Sequence, residues 1–298
     1  MSDVTTVAAT DSAGQKEASA SLWSDARRQL IRNPLFVASF IWVLIVSSMA
    51  LFPRLWTSMD PRDCDLSEPR AFPSAEHWFG TNTLGCDYYT HAIFGARPSL
   101  SIALLATGGV VLIGVIMGLL AGFFGRWIDT LISRFVDILL GIPFLLGAVV
   151  FLSVIKIRAI WTIALVLILL GWTVIARIMR GNVLASKNLD YVHAAKALGA
   201  SNSRLMARHI LPNAIAPVVV YATILLGAFV GAEATLSFLG VGLQAPSITW
   251  GIMITQHDVY FLQNPWLLIF PAGMLFLTVL SFVLMGDALR DALDPRLR

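Results

Sequence analysis

The carboxylates Asp137 and Glu233 stand inside long apolar runs of this sequence. An ionisable side chain is costly in an apolar medium, so such a group is a candidate for a pathway, a relay or an interhelical bond. For Glu233 two readings stay open: it lines a path, or it accepts a hydrogen bond between helices. Asp137 lies six residues before Pro143, a residue expected to kink its helix. The two cysteines, Cys64 and Cys86, fall in one polar loop, with none in an apolar run. They read as a disulfide of an oxidising compartment or as two unrelated small side chains. The five histidines, His77, His91, His193, His209 and His257, have no partner at metal-ligand spacing. No GxxxxGKS/T phosphate loop, HExxH, GxSxG or CxxC occurs. The chain is therefore not expected to be an enzyme, to hold a metal or cofactor, or to hydrolyse ATP itself.

A basic, polar island lies at 188–217, between apolar runs. Asp190 is placed to cap a helix. Tyr191, Ala194, Ala195 and Leu198 follow at the spacing of one helical face, small in its middle, which another backbone could approach closely. Gly199 stands where that helix should stop in the left-handed conformation. Ser201 or Ser203 can open a second helix, closed by Ile210, Leu211 and Pro212, and Pro217 falls in the first turn of the next apolar run.

The elements around these residues are set by hydropathy. Of 298 residues 57% are hydrophobic and 13% charged, against roughly 25% charged in soluble domains. A bilayer core of about 30 Å takes about 20 apolar residues of helix. Six runs qualify: 35–52, 99–122, 128–154, 159–178, 214–239 and 266–286. With the N-terminus cytoplasmic, the inside segments hold Lys16, Arg27, Arg28, Arg32, Arg126, Arg134, Arg177, Arg180, Lys187, Lys196, Arg204, Arg208, Arg290, Arg296 and Arg298. The outside holds only Arg54, Arg62, Arg70, Arg97, Lys156 and Arg158, the last two running against the rule. Both termini and the 188–217 loop then face the cytoplasm. Basic residues are spread over loops with no stripe, which excludes a nucleic-acid partner. Residues 1–21 read as a disordered tail, and 22–33 as an interfacial helix with Trp23, Leu30 and Ile31 toward lipid and its arginines at head groups. The first apolar run reads as an uncleaved anchor. Gly114, Gly118 and Gly122, and Gly227 with Gly231, are small-residue steps for close helix packing, within the chain or against a partner. The 241–265 segment reads as an outside helix at the membrane surface, carrying Trp250, Ile252, Met253 and Tyr260.

The island resembles the cytoplasmic loop of binding-protein-dependent ABC importer permeases: His193-Ala194-Ala195, Gly199, then Ile210-Leu211-Pro212, with His193 where that family has Glu and Ile210 directly before Leu211. Two further stretches resemble the dipeptide, oligopeptide and nickel branch. One holds His77, Phe79, Gly80, Thr81, Leu84, Gly85 and Asp87, then Gly95, Ala96, Arg97, Ser99 and Leu100, with Asn82 and Cys86 departing from the pattern. It is expected to be an outside turn leading into a helix capped near Ser99. The other holds Glu233, Leu236, Ser237, Phe238, Leu239, Gly240, Gly242, Pro246, Trp250 and Gly251. The resemblance implies an all-α integral membrane protein of the type-1 ABC importer permease fold with six transmembrane helices. It implies a permease core at 98–287 with coupling loop 179–213, preceded by a helix and loop at 34–97 and followed by a tail at 288–298. It also implies partners: a second homologous permease, two ATP-binding subunits using ATP and magnesium, an extracytoplasmic substrate-binding protein, and lipid. Tyr191, His193, Ala194, Ala195, Leu198 and Gly199 would form the coupling helix; Asp137 and Glu233 are its path candidates. Short peptides are the favoured cargo, nickel or another small solute the alternative. A stand-alone channel or exporter is the competing class and would need no ATPase contact.

Overall fold

The structure, a computed structural model, describes residues 22–293. Among them the regular secondary structure is helical, with two isolated β-bridges in the outer loop. The helices are α1 (Leu22–Arg32), α2 (Pro34–Leu51), α3 (Tyr88–Phe124), α4 (Arg126–Leu140), α5 (Phe144–Ile155), α6 (Ile160–Ser186), α7 (Asp190–Ala197), α8 (Asn202–Arg204), α9 (Leu211–Ala214), α10 (Ala216–Phe238), α11 (Trp250–His257) and α12 (Trp266–Leu293). The tail expected at 1–21 and residues 294–298 lie outside the described residues.

Five helices are long and apolar enough to cross a membrane: α2, α3, α6, α10 and α12. The run at 128–154 is not one kinked span. It is broken at Gly141–Pro143 into α4 and α5, bent by 83°. Gly141 ends α4, and Pro143 lacks the N–H that would continue its ladder.

The two halves nonetheless make one crossing, because α3 and α6 run parallel. A Cβ added at Gly114 would meet Ile175, at Gly118 Ala176 and Met179, and at Gly122 Val183, so both chains advance together. Parallel neighbours need the chain carried back from the end of α3 to the start of α6, and only α4 and α5 lie between. The Gly114, Gly118 and Gly122 stripe is thus spent inside the chain: it brings the α6 backbone close enough for added methyls to clash, the close approach that drives helix association in lipid. Gly227 serves the antiparallel pair α10–α12, where Val279 and Phe282 leave no room for a Cβ; Gly231 is only loosely approached.

Helix ends follow local chemistry. Asn33 caps α2, its Oδ1 accepting from Leu35 and Phe36 N–H at 3.0 and 3.3 Å, with Pro34 in the first turn. α3 begins eleven residues before the expected Ser99. Asp87 is its cap, Oδ2 accepting from Thr90 N–H at 2.7 Å, and Ser99 is buried mid-helix. The boundary drawn between 97 and 98 therefore falls inside one helix. α12 runs to Leu293, so 288–293 continue the last span instead of forming a tail. α1 packs against α12 and α2, which puts both ends of the described chain at one end of the bundle. Its Arg27, Arg28, Arg32 and Ile31 are exposed there.

α11 is not a surface helix. Trp250 is 0% exposed, and its Nε1–H donates to the Ala92 carbonyl at 2.9 Å. A Cβ at Gly251 would meet the Ala234 backbone, so α11 is wedged between α3 and α10. Arg158, the outside cation that strained the charge rule, donates from Nη1 to the carbonyls of Leu152 and Val241 at 2.6 and 2.8 Å. It locks two loops together, so its position follows from bonding and not from orientation.

Candidate functional site

At the end of the bundle shared by α1 and the close of α12, the chain leaves α6 and builds a platform. Lys187 Nζ donates to the Gly122 carbonyl at 2.8 Å, tying the exit of α6 to the end of α3. α7 follows. Its cap position is Leu189, with no side-chain bond; Asp190 is the first helical residue, where a carboxylate still favours the positive end of the helix dipole. The helix ends as its sequence predicts. Gly199 adopts φ +84°, Ala200 N–H donates to Ala195 O at 3.1 Å and Gly199 N–H to Lys196 O at 3.0 Å. This paired closure is the Schellman arrangement, and it needs a residue that takes positive φ without a Cβ penalty.

Ser201 caps the next segment, its Oγ accepting from Arg204 N–H at 3.4 Å. That segment does not close at Pro212. It runs from α8 through a π-helical turn, Leu205–Ile210, into α9. Pro212 offers no N–H to the preceding turn and its ring crowds it; widening the backbone to i→i+5 bonds relieves both. Leu211 N–H accordingly bonds Met206 O. The His209 carbonyl accepts from Asn213 Nδ2 at 2.7 Å and from the Tyr191 hydroxyl at 3.4 Å. Tyr191 thus pins α7 to the π-turn.

The faces of α7 differ from the expected stripe. Val192 is 4% exposed and packs inward with Leu205 and Ile210; Ala195 is half-buried on that same side. Tyr191, His193, Ala194 and Leu198 face outward, and Leu198 is 89% exposed. The period-four pattern that links Tyr191, Ala195 and Leu198 does not show which neighbour the core claims.

The two path candidates prove to be bonded within the chain. Asp137 on α4 pairs with Arg177 of α6 at 2.7 Å and lies 3.9 Å from Arg134. About two turns earlier on α4, Asp129 takes two bonds from Arg180, at 2.5 and 2.6 Å. These pairs hold the broken span on α6 beside a cavity of about 440 Å³ lined by Asp137, Arg177 and Arg180. Glu233 is 0% exposed. Its carboxylate oxygens lie 3.0 Å from Ser99 Oγ and 2.9 Å from Ser237 Oγ, so it joins α10 to α3. Cys64 and Cys86 form a disulfide at the opposite end of the bundle, closing the 64–86 loop. Among the described residues no cluster of three or more His, Cys, Asp or Glu could hold a metal.

Sequence reasoning missed Asp87. It caps α3 with one oxygen and meets His77 Nδ1 at 2.9 Å with the other. An acid four residues before a helical apolar face is a readable cap signal, hidden here by the glycine-rich turn before it.

Parallel core helices, one broken span and a helix–glycine–helix platform between the fourth and fifth crossings are the architecture of a multi-span membrane permease. Residues 114–298 match the model of the binding-protein-dependent transport system inner membrane component, and 21–72 that of the N-terminal transmembrane domain of oligopeptide transport permease C. The chain belongs to this family of inner-membrane ABC importer permeases. It is 40% identical over 280 residues to the oligopeptide transport system permease protein OppC of Bacillus subtilis, covering 94% of this chain and 92% of that one. It is 37% identical over 276 residues to the dipeptide transport system permease protein DppC of Alkalihalophilus pseudofirmus, covering 93% and 90%. Among solved structures, the MetNI methionine ABC transporter superposes with a TM-score of 0.55 at 21% identity, over 68% of this chain and 96% of that one. That likeness gives the type-1 importer permease fold.

Proposed function

We infer that this chain is the second permease subunit of a peptide importer and that α7 is the element its ATPase moves. The observation that carries this is the platform itself: a helix closed by the Gly199 turn and tied to the π-turn by Tyr191, with Leu198 89% exposed at its end. Lys196, Arg204 and Arg208 are exposed on the same segment, 188–217, whose one acid is Asp190, so an acidic groove on a nucleotide-binding subunit is its complement. Peptide cargo is supported by relatives named for dipeptide and oligopeptide transport at 37–40% identity.

The cycle then runs by alternating access. A loaded binding protein docks at the disulfide-closed end. ATP and magnesium, held by two partner ATPase subunits, draw those subunits together. α7 moves with one of them and, through Tyr191 and the π-turn, carries α6 and α10. A second, homologous permease completes the path. Asp137 and Glu233 act as fixing points of the moving helices, the first between α4 and α6, the second between α3 and α10. Gly199→Val forces a β-branched residue into positive φ and is expected to leave membrane insertion intact while abolishing uptake of labelled peptide by the reconstituted complex. Normal uptake by that variant would refute the coupling role.

A further inference from the structure

The end of the bundle opposite α7 holds a half-open cavity of about 1000 Å³. Its walls are the turn after α2, the start of α3, and the stretch from Ala245 through α11. Three guanidinium side chains line it: Arg54, Arg62 and Arg97. None of the three is in an ion pair among the described residues. One carboxylate, Asp60, lines the same space, and its Oδ1 accepts only the backbone N–H of Arg62, at 2.8 Å. Met59, Phe94 and Ile252 supply apolar wall.

This concavity is preformed. The Cys64–Cys86 disulfide closes its loop. His91 Nε2 donates to the Pro61 carbonyl at 2.8 Å, and Thr57 and Thr90 hydroxyls meet at 2.7 Å, so the turn is bolted to α3. Three like charges around one space focus a field that attracts an anion. Arginine in particular suits a carboxylate, which its planar fork grips with two parallel bonds. The volume lies at the upper end of small-ligand sites, roughly 300–1,000 Å³, and polar side chains such as Thr57, Asn82, His91 and Gln256 share the lining with the apolar wall.

The geometry points to a capture site for the free C-terminal carboxylate of a short peptide, held by Arg97 with Arg54 and Arg62. The peptide's ammonium group then finds Asp60, and its side chains lie on the apolar wall. This assignment rests on the peptide reading above and adds to it a place where cargo is held after leaving the binding protein.

The test is equilibrium dialysis of radiolabelled tetraalanine against the detergent-purified transporter complex without its binding protein. Saturable binding is expected, with the C-terminal amide competing about tenfold less well than the free acid, the worth of a charged hydrogen bond. Arg97→Gln and Arg62→Gln should each weaken binding about tenfold and erase the acid–amide difference. Arg97→Lys should recover part of it, and Arg70→Gln, a cation of the same loop outside the cavity, should change nothing. Absence of saturable binding, equal competition by the amide, or indifference to both substitutions would overturn the site. A parallel uptake assay separates the two readings. Binding without import would sink the peptide-importer reading, and import without binding would sink only the capture site.

Discussion

Residues 53–87 and residues 187–214 are both polar loops of similar length at opposite ends of one bundle. In the outer loop nearly every motif residue is spent on the loop itself. Thr81 Oγ1 donates to Glu68 O at 2.6 Å and accepts from Ala71 N–H at 2.8 Å. Asn82 Oδ1 accepts from Leu84 and Cys86 N–H at 2.8 and 2.9 Å. Gly80 and Gly85 hold positive φ, and a Cβ on either would strike the backbone of Ala71 or Asp65. The inner loop has no such knot. Its helices are closed by the Gly199 backbone turn, the Ser201 cap and the Tyr191 and Asn213 side chains, and its apolar tip is left uncovered. The outer motif maintains a shape; the inner one keeps a surface available. A stretch of sequence can thus be distinctive for architecture alone, as His77, Gly80, Thr81, Gly85 and Asp87 are.

That contrast can be broken most sharply at the inner tip. Leu198→Asp puts an anion where an acidic groove is expected to seat, so uptake should be lost and ATPase capture by the permease pair weakened at least about tenfold. The melting temperature should not move, because the side chain touches little of its own chain. A co-purification with the ATPase, together with a melting curve, checks both. The reverse pattern is expected in the outer loop. Cys64→Ser should cost about 3 kcal/mol of stability in the chain-entropy model, seen as a lower melting temperature, with ATPase capture unchanged below it. Asp87→Ala removes the cap of α3 and the partner of His77, and should cost about 1–2 kcal/mol by the same measurement. The smallest effect is one of pH. Burial pushes the His257 imidazole below its ordinary value; nearby His91 pushes the same way, while its bond to the Met253 carbonyl and Asp258 oppose the shift. The unfolded chain therefore binds more protons just below pH 6.5, so stability is full above that value and falls as pH drops through it. His257→Gln should flatten that slope in melting curves taken from pH 8 to 5.5.

Much of the platform was legible because it is local. Gly199 ends α7 through bonds within six residues, and its chemistry needs no distant partner. The same holds for Asn33 and Pro34 at the start of α2. Ala195 and Trp250 were misplaced for the opposite reason. Their neighbours, Leu205 and Ile210 for the first side of α7 and Ala92 for the tryptophan, arrive from elsewhere in the chain. A helical period names the residues that share a face but not which face the core takes.

By itself the sequence determined that the chain is a helical membrane bundle, how many crossings it makes, where its cations lie and where its long basic loop turns. Those follow from hydropathy, charge and backbone preference, which act over one helix or less. Only tertiary structure decided that the third crossing is broken at Gly141–Pro143, that the glycine stripe of α3 is used up against α6, that Glu233 is a clasp between α10 and α3, and that three outer arginines share one cavity. Each depends on which surfaces far apart in the chain come within van der Waals or hydrogen-bond distance, and no local preference encodes that choice.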